Sequence, residues 1–311
     1  MKTMLATQIN LTVENLLNKV YHNMISGEFQ SSVIQLMSSL KKILDAVGSD
    51  HMNTEIKDIC INHPISKIIF QDPCTYRSFS KPEGYAGDAH LIDFIYRLST
   101  FSNRTSAIGR KLFTTNTSSS STESVRWRAT HLADLIDETY ETKGEKIKVL
   151  SVASGRCREL AYVEDTEMKI ERFICLDQDE KSNEIVRKNY PHDFLYVLDE
   201  SIMFLLKEGL GEQKFDFIYS AGLFDYLEKK LAARLIQKMY KNLDEKGHML
   251  IPNFAPGLFE QGYMETFMDW KLIYRTEEEM MELAELAGIE EGKVSLYRDP
   301  MFNVIYMKMV K

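Results

Sequence analysis

KVLSVASGRCREL (Lys148–Leu160), followed by FICLDQD (Phe173–Asp179), is the stretch that decides the fold. An apolar strand breaks into a small-residue turn, Ala153-Ser154-Gly155, and runs toward a helix. A second apolar strand then ends in an acid, Asp177. A strand, tight turn and helix followed about twenty residues on by a carboxylate is the layout of nucleotide-binding α/β halves. Small residues let the backbone lie against a ligand at the turn, and the acid accepts from ribose hydroxyls.

Downstream of this stretch, apolar runs and amphipathic segments alternate, the signal of a parallel sheet with helical crossovers. The pattern predicts strands at 147–153, 172–177, 194–198, 215–221 and 248–253. Helices are predicted at 157–164, 180–189, 201–208, 226–243 and 276–287. The end of the chain differs. KVSLYRDPMFNVIYMKMV (Lys293–Val310) holds two strands separated only by an Asp299-Pro300 turn. Strands so close must form an antiparallel hairpin, because a parallel crossover needs about a dozen residues or more.

Upstream, LTVENLLNKVYHNMI (Leu11–Ile25) and SSVIQLMSSLKKILDAV (Ser31–Val47) place apolar residues at three- and four-residue steps, so residues 5–60 read as helices. Asp88 is placed to cap the helix AHLIDFIYRL (Ala89–Leu98). TTNTSSSST (Thr114–Thr122) lacks any hydrophobic anchor and reads as a flexible connection. A helix with an apolar face (Val125, Leu132, Leu135, Ile136, Tyr140) follows it. The chain thus divides into a helical cap over residues 1–122 and an α/β domain over 123–311.

Composition narrows the partners. Residues 1–140 carry 14 basic and 14 acidic side chains, residues 141–311 carry 24 and 32, and the net charge is −8. An acidic α/β half repels phosphate backbones, which argues against nucleic acid and for a small-molecule substrate. No apolar run approaches the roughly 20 residues of a membrane-spanning helix, and the N-terminus has no signal-peptide pattern. Cys60, Cys74, Cys157 and Cys175 share no C-x-x-C spacing, and the seven histidines have no metal-ligand spacing. No metal, no disulfide and a reducing cytoplasm are the expectations. A homodimer is compatible with the sequence.

Several residues are candidates for chemistry. The absent glycines serve a pyrophosphate poorly, since G-x-G-x-x-G places that group at a helix N-terminus. S-adenosyl-L-methionine carries no phosphate and suits the turn Ala153, Ser154 and Gly155 better. Asp177, with neighbouring Gln178, is the candidate ribose ligand, or alternatively caps the helix near Glu180. Asp199, after the third strand, is placed either to meet an adenine amino group or to serve as an acid in the first turn of the next helix. Ser220, Ala221 and Gly222 would bring backbone beside the reacting centre. Asp225, next to Tyr226, is a candidate base, although Asp225-x-x-Glu228 is also a capping-box pattern. In KPEGYAGDAH (Lys81–His90) two glycines flank Tyr85, whose ring face can stabilise a sulfonium. Arg126, Arg128, Arg156 and Arg158 are candidates for a carboxylate, or for surface or interdomain ion pairs.

Taken together, HPISKIIFQDPCTYRSFSKPEGYAGDAHLIDFIY (His63–Tyr96), SVRWRATHLADLID (Ser124–Asp137), the SVASGRCRE turn, YSAGLFDYL (Tyr219–Leu227), PNFAPG (Pro252–Gly257) and MDWKLIYRT (Met268–Thr276) resemble a bacterial group of class I S-adenosylmethionine-dependent methyltransferases. Some members form the methyl ester of a 3-hydroxy fatty acid. The resemblance covers about His63 to Lys311. It implies an α/β, Rossmann-like methyltransferase domain, a parallel sheet finished by an antiparallel hairpin strand, preceded by an all-helical cap. It also implies a cofactor site lined by Gly155, Asp177 and Ser220–Gly222, with Tyr85 and Arg126 facing it. Ser151 stands where most such enzymes carry an acid.

Three functions follow as expectations. The first is methyl transfer from S-adenosyl-L-methionine to a small-molecule carboxylate or hydroxyl in secondary metabolism or signalling, with Tyr85, Asp225 and Tyr226 as candidate catalytic groups. The second is cyclisation of the cofactor to azetidine-2-carboxylate with release of methylthioadenosine. The third is a non-catalytic cofactor-binding regulatory module. Phe259, Tyr263, Phe267, Trp270 and Tyr274, between Pro256 and Arg275, are candidates for lining an acceptor pocket, or equally for packing against the cap.

Overall fold

The alternating half of the chain folds as its pattern predicts. A computed structural model describes residues 2–311, with side chains from Thr7 onward. Its strands are β1 (Ile147–Val152), β2 (Ile170–Asp177), β3 (Leu195–Asp199), β4 (Phe215–Tyr219), β5 (Leu243–Phe254), β6 (Val294–Arg298) and β7 (Val304–Val310). They form one sheet in the order β3-β2-β1-β4-β5-β7-β6. β1 to β5 are parallel, and β7 runs antiparallel between β5 and β6. This is the Rossmann-like α/β fold with a C-terminal hairpin strand. The predicted helices at 180–189, 201–208, 226–243 and 276–287 are found at Glu180–Asn189, Ile202–Lys207, Lys229–Lys241 and Glu277–Leu286.

Side chains alternate across the strands. One face presents Leu150, Val152, Ile174, Leu176, Ile218, Met249 and Ile251 to the core beneath the helices Lys229–Lys241 and Glu277–Leu286. The other carries Ser151, Phe173, Cys175, Phe217, Tyr219 and His248, with Phe217 stacked on Tyr219 at 5.2 Å and on His248 at 4.6 Å. On this α/β unit the helix Ser120–Lys143 brings Trp127 and His131 edge-on to Tyr306, at 5.4 and 5.5 Å.

The chain forms two compact units. The α/β unit spans Arg126–Pro256 and Leu272–Lys311, and the helical unit takes the chain up to Val125 together with Gly257–Lys271. The division falls inside the helix Ser120–Lys143. Gly257–Lys271, which the sequence placed in the α/β half, therefore belongs with the N-terminal helices. Gly262 shows why it can: a Cβ there would lie 2.6 Å from the Leu40 carbonyl carbon and 2.9 Å from the Lys41 nitrogen. Only glycine lets the helix Gln261–Phe267 approach the helix Phe29–Val47 so closely.

Thr114–Thr122 is not the flexible connection its composition suggested. The helix Ala107–Asn116 ends within it and the helix Ser120–Lys143 begins within it. Its hydroxyls satisfy the local backbone: Thr114 donates to Arg110 O, Thr115 to Lys111 O, Thr117 to Phe113 O and Thr122 to Ser119 O. Asn116 is buried, donating to Asp72 Oδ2 at 2.6 Å and to Tyr263 Oη at 3.3 Å. Short polar side chains that bond their own backbone make a run hydrophilic without loosening it. Among the described residues, no helix is long and apolar enough to cross a membrane.

Candidate functional site

The parallel pairing brings the carboxyl ends of β1 to β4 together. Ser151 lies opposite both Cys175 and Tyr219, and Asp177 opposite Asp199. The strand order reverses between β1 and β4. Ligands of open α/β sheets bind in the crevice outside the strand ends at such a switch point.

The turn after β1 carries an unexpected backbone. Ala153, Gly155 and Cys157 all lie in the left-handed region, with φ of 53°, 52° and 45°. Two of the three positions are not glycine, yet the alternating conformation that glycines would favour is adopted, at a steric cost of roughly 1–2 kcal/mol for each non-glycine residue. The Gly155 amide donates to Asp177 Oδ2 at 2.7 Å and the Ser154 amide to Leu176 O at 3.2 Å, tying the turn to the end of β2. The helix predicted at 157–164 is a 3-10 helix over Arg158–Tyr162. Left-handed residues at Cys157 and Asp165 bracket the segment and leave no room for a longer α-helix.

At the end of β2, Asp177 also accepts from the Asp179 amide at 2.9 Å. Burial raises its carboxyl above the ordinary range, against the pull of these amides. Its alternative role as the helix cap falls to Asp179, which accepts from the Lys181 amide and from Ser182 Oγ. Gln178 between them is exposed. Asp199 is held by Arg187, which depresses its carboxyl, and by Asn183 Nδ2 at 2.9 Å. Asn183 also donates to Asp177 O at 2.8 Å, so one amide links the ends of β2 and β3.

At the end of β4, Ser220 is 0 % exposed and its hydroxyl has no hydrogen-bond partner. The Ser154 hydroxyl on the neighbouring turn is likewise unpartnered. A ligand that bonded these two hydroxyls would offset the roughly 1–3 kcal/mol that a buried polar group without a partner costs. Ala221 leads into Gly222, whose φ of 110° is open to glycine alone.

Asp225 does not cap a helix. The helix begins at Lys229 with Glu228 as N-cap, and Glu228 makes no side-chain capping bond. Asp225 instead turns inward to accept the Phe254 amide at 2.8 Å, supplying a buried donor at the end of β5 with its acceptor. Burial, offset in part by Arg128 and Arg275, raises its carboxyl to about 7. Tyr226, its neighbour, is exposed.

Two further charged residues are buried beside these strand ends. Glu159 is buried just after the β1 turn and accepts from Tyr219 Oη. Burial raises its carboxyl, while the Tyr219 hydrogen bond and Arg128 pull it down. In the run RCRE its charge reads as that of an exposed side chain, and nothing but its nearness to the turn marks it. Arg128, on the helix Ser120–Lys143, is buried and acts electrostatically on both Glu159 and Asp225. Arg126 is half-buried two residues earlier. Cys157 and Cys175 are free, buried thiols whose sulfurs are 2.9 Å apart beneath the turn.

In the helical unit, Asp88 caps the helix Ala89–Ile95, accepting from the Leu91 amide at 2.8 Å, and is paired with Arg77 Nε at 2.8 Å. Gly84, with φ of 90°, turns the loop that presents Tyr85, which is exposed. Of the aromatics between Pro256 and Arg275, Tyr263 and Phe267 are buried against each other, with ring centroids 5.4 Å apart. Tyr263 Oη lies 2.9 Å from Thr75 Oγ1. These two are part of the packing of the helical unit.

No family model matches the chain, and no curated protein matches it. Solved structures do. A possible exported protein from Bordetella parapertussis has a TM-score of 0.60 at 12% identity, covering 86% of this chain and 98% of its own. An O-methyltransferase from Nostoc punctiforme, described as putative, gives 0.48 at 13% identity, covering 79% of this chain and 71% of its own. Magnesium protoporphyrin IX methyltransferase from Synechocystis, solved with bound S-adenosylhomocysteine, gives 0.49 at 10% identity, covering 72% and 95%. What the first of these shares with the chain is the fold.

Proposed function

We propose that the protein is an S-adenosyl-L-methionine-dependent methyltransferase acting on a small-molecule carboxylate or hydroxyl. The observation that carries this reading is the turn after β1. Its backbone is left-handed at Ala153, Gly155 and Cys157, and it ties Gly155 to Asp177. It runs into a short 3-10 helix, without the α-helix N-terminus that a diphosphate needs. A phosphate-free adenosyl ligand fits these strand ends.

Bound there, the cofactor would supply a sulfonium methyl donor. Asp177 would accept from the ribose, Ser154 and Ser220 would gain partners for their hydroxyls, and Gly222 would let backbone approach the methionine end. Methyl transfer depends mainly on positioning and exclusion of water. A carboxylate acceptor is already ionised and needs no base. A hydroxyl acceptor would call for one, and Asp225 at about 7 has the matching basicity. The same basicity favours a second reading, in which the cofactor's own amine closes a four-membered ring and methylthioadenosine leaves.

One incubation separates these readings. The purified protein is mixed with S-adenosyl-L-methionine alone and with candidate hydroxy acids, and the adenosyl product is identified. S-adenosylhomocysteine formed only with an acceptor is the expected result. Methylthioadenosine formed without an acceptor would establish ring closure, and tight binding without turnover would establish a regulatory module. No binding in calorimetry would end the proposal.

A further inference from the structure

One buried pair of side chains at the strand ends takes no part in the chemistry above. Cys157, in the turn after β1, and Cys175, in β2, are free thiols with their sulfurs 2.9 Å apart. We propose that the pair is a redox-sensitive clamp: hydrogen peroxide closes the two thiols into a reversible disulfide that fastens the turn to β2.

The geometry leaves little to be done. A disulfide holds its sulfurs at about 2.05 Å, so closure asks for roughly 0.9 Å of further approach. The backbone already fixes both ends. Cys175 lies opposite Ser151 on β1 and Val197 on β3. The Cys157 amide donates to Ser154 O at 3.1 Å, and the Gly155 amide reaches Asp177, two residues beyond Cys175. Cys157 also holds a left-handed φ of 45°, a conformation that costs any residue with a Cβ and spares glycine. A disulfide would add a covalent tie beside the Gly155–Asp177 hydrogen bond, whatever ligand the turn takes.

The two thiols differ in access. Cys175 is enclosed by strand pairing on both sides, whereas Cys157 sits in a turn and is reached when that turn opens locally. Burial and the Cys175 thiol beside it push the Cys157 thiol up, so its thiolate forms on opening and not in the closed turn. That thiolate attacks one oxygen of hydrogen peroxide. An S–O bond forms, the O–O bond breaks, and the expelled hydroxide takes up the proton released by Cys157 to leave as water. Cys175 Sγ then attacks the sulfenic sulfur of Cys157. The S–S bond forms as the S–O bond breaks, and the second hydroxide leaves as water with the Cys175 proton. Two thiols are oxidised and one peroxide is reduced to two waters.

The test treats the full chain, first reduced and freed of reductant, with hydrogen peroxide in native buffer. Peptides are mapped by mass spectrometry, and amide hydrogen exchange is followed over the β1 turn. A Cys157–Cys175 cross-linked peptide is expected, with exchange over the turn slowed by about threefold or more and restored by dithiothreitol. Cys60 and Cys74, buried in the helical unit, serve as internal controls and should still be alkylated after denaturation. Cys157→Ser should give no cross-link and no slowing. Should that variant fail to fold, reversal by dithiothreitol in the wild type carries the comparison. Sulfinic or sulfonic acid at either cysteine without a cross-link would overturn the inference. So would a cross-link that leaves exchange over the turn unchanged, or slowing that persists in Cys157→Ser.

Discussion

The Gly155 amide and the Asp177 carboxylate are joined by a 2.7 Å hydrogen bond across 22 residues of chain. The acid expected to hold a ribose thus also holds the turn that would face the nucleoside. Asp177→Ala removes the acceptor of two amides, from Gly155 and Asp179, along with any bond to ligand. Binding of S-adenosylhomocysteine should weaken by on the order of 1–3 kcal/mol, the scale of lost charge-assisted bonds. Calorimetry measures it, and an unchanged dissociation constant would remove Asp177 from the site.

Ala153 tests the turn's backbone. At a φ of 53° a β-branched side chain clashes with its own chain. Ala153→Val should destabilise the fold by about 2 kcal/mol or more and weaken the ligand. In Ala153→Gly, relief of the left-handed strain is offset by a more disordered unfolded chain, leaving stability within about 1 kcal/mol of wild type. Urea titrations that rank the two variants the other way would contradict the left-handed assignment.

Gly262→Ala should destabilise the helical unit by about 1–3 kcal/mol, as overpacking does. The obstructing atoms are the Leu40 carbonyl and the Lys41 nitrogen, which belong to the backbone. Trimming Leu40 to alanine should therefore give no rescue. Chemical denaturation of the single and double variants decides it.

Asp225 gives a pH dependence with a definite sign. Its carboxyl rises from 3.8 to about 7 on folding, so the native state keeps a proton that the unfolded chain releases in that window. The group's contribution is most favourable below the window and is lost as pH rises through it. Asn in its place still offers an oxygen to the Phe254 amide and does not titrate. Asp225→Asn should accordingly gain stability relative to wild type as pH rises from 4.5 to 7.5, read from urea midpoints at the two values. A difference that does not vary with pH would place the titration elsewhere.

The α/β half was legible because burial on both faces of a parallel sheet writes continuous apolar runs such as KVLSV and FICL, and because a hairpin needs few residues between its strands. The site was legible only at strand ends. Asp177 and Ser220 follow directly from where strands stop. Asp225 was open to misreading because its capping-box spacing is local, whereas its partner, the Phe254 amide, comes from β5. Glu159 and Arg128 were hard to find for the same reason: each has a charged side chain whose burial is decided by distant segments. Thr114–Thr122 misled because composition reports polarity and not whether hydroxyls are already bonded to their own helix. Gly257–Lys271 misled because sequence adjacency to β5 hides a return to helices more than 200 residues earlier.

The alternating turn at Ala153, Gly155 and Cys157 also bears on how such sites change over evolutionary time. If dihedral angle rather than residue identity is what the ligand requires, glycines can be lost one at a time. Each loss is tolerated as long as the replacement is compact enough for the left-handed basin and the rest of the domain supplies the stability it removes. A ligand-binding geometry can then outlast its own sequence signature, and a chain can drift away from every glycine-rich pattern while its backbone stays where it was.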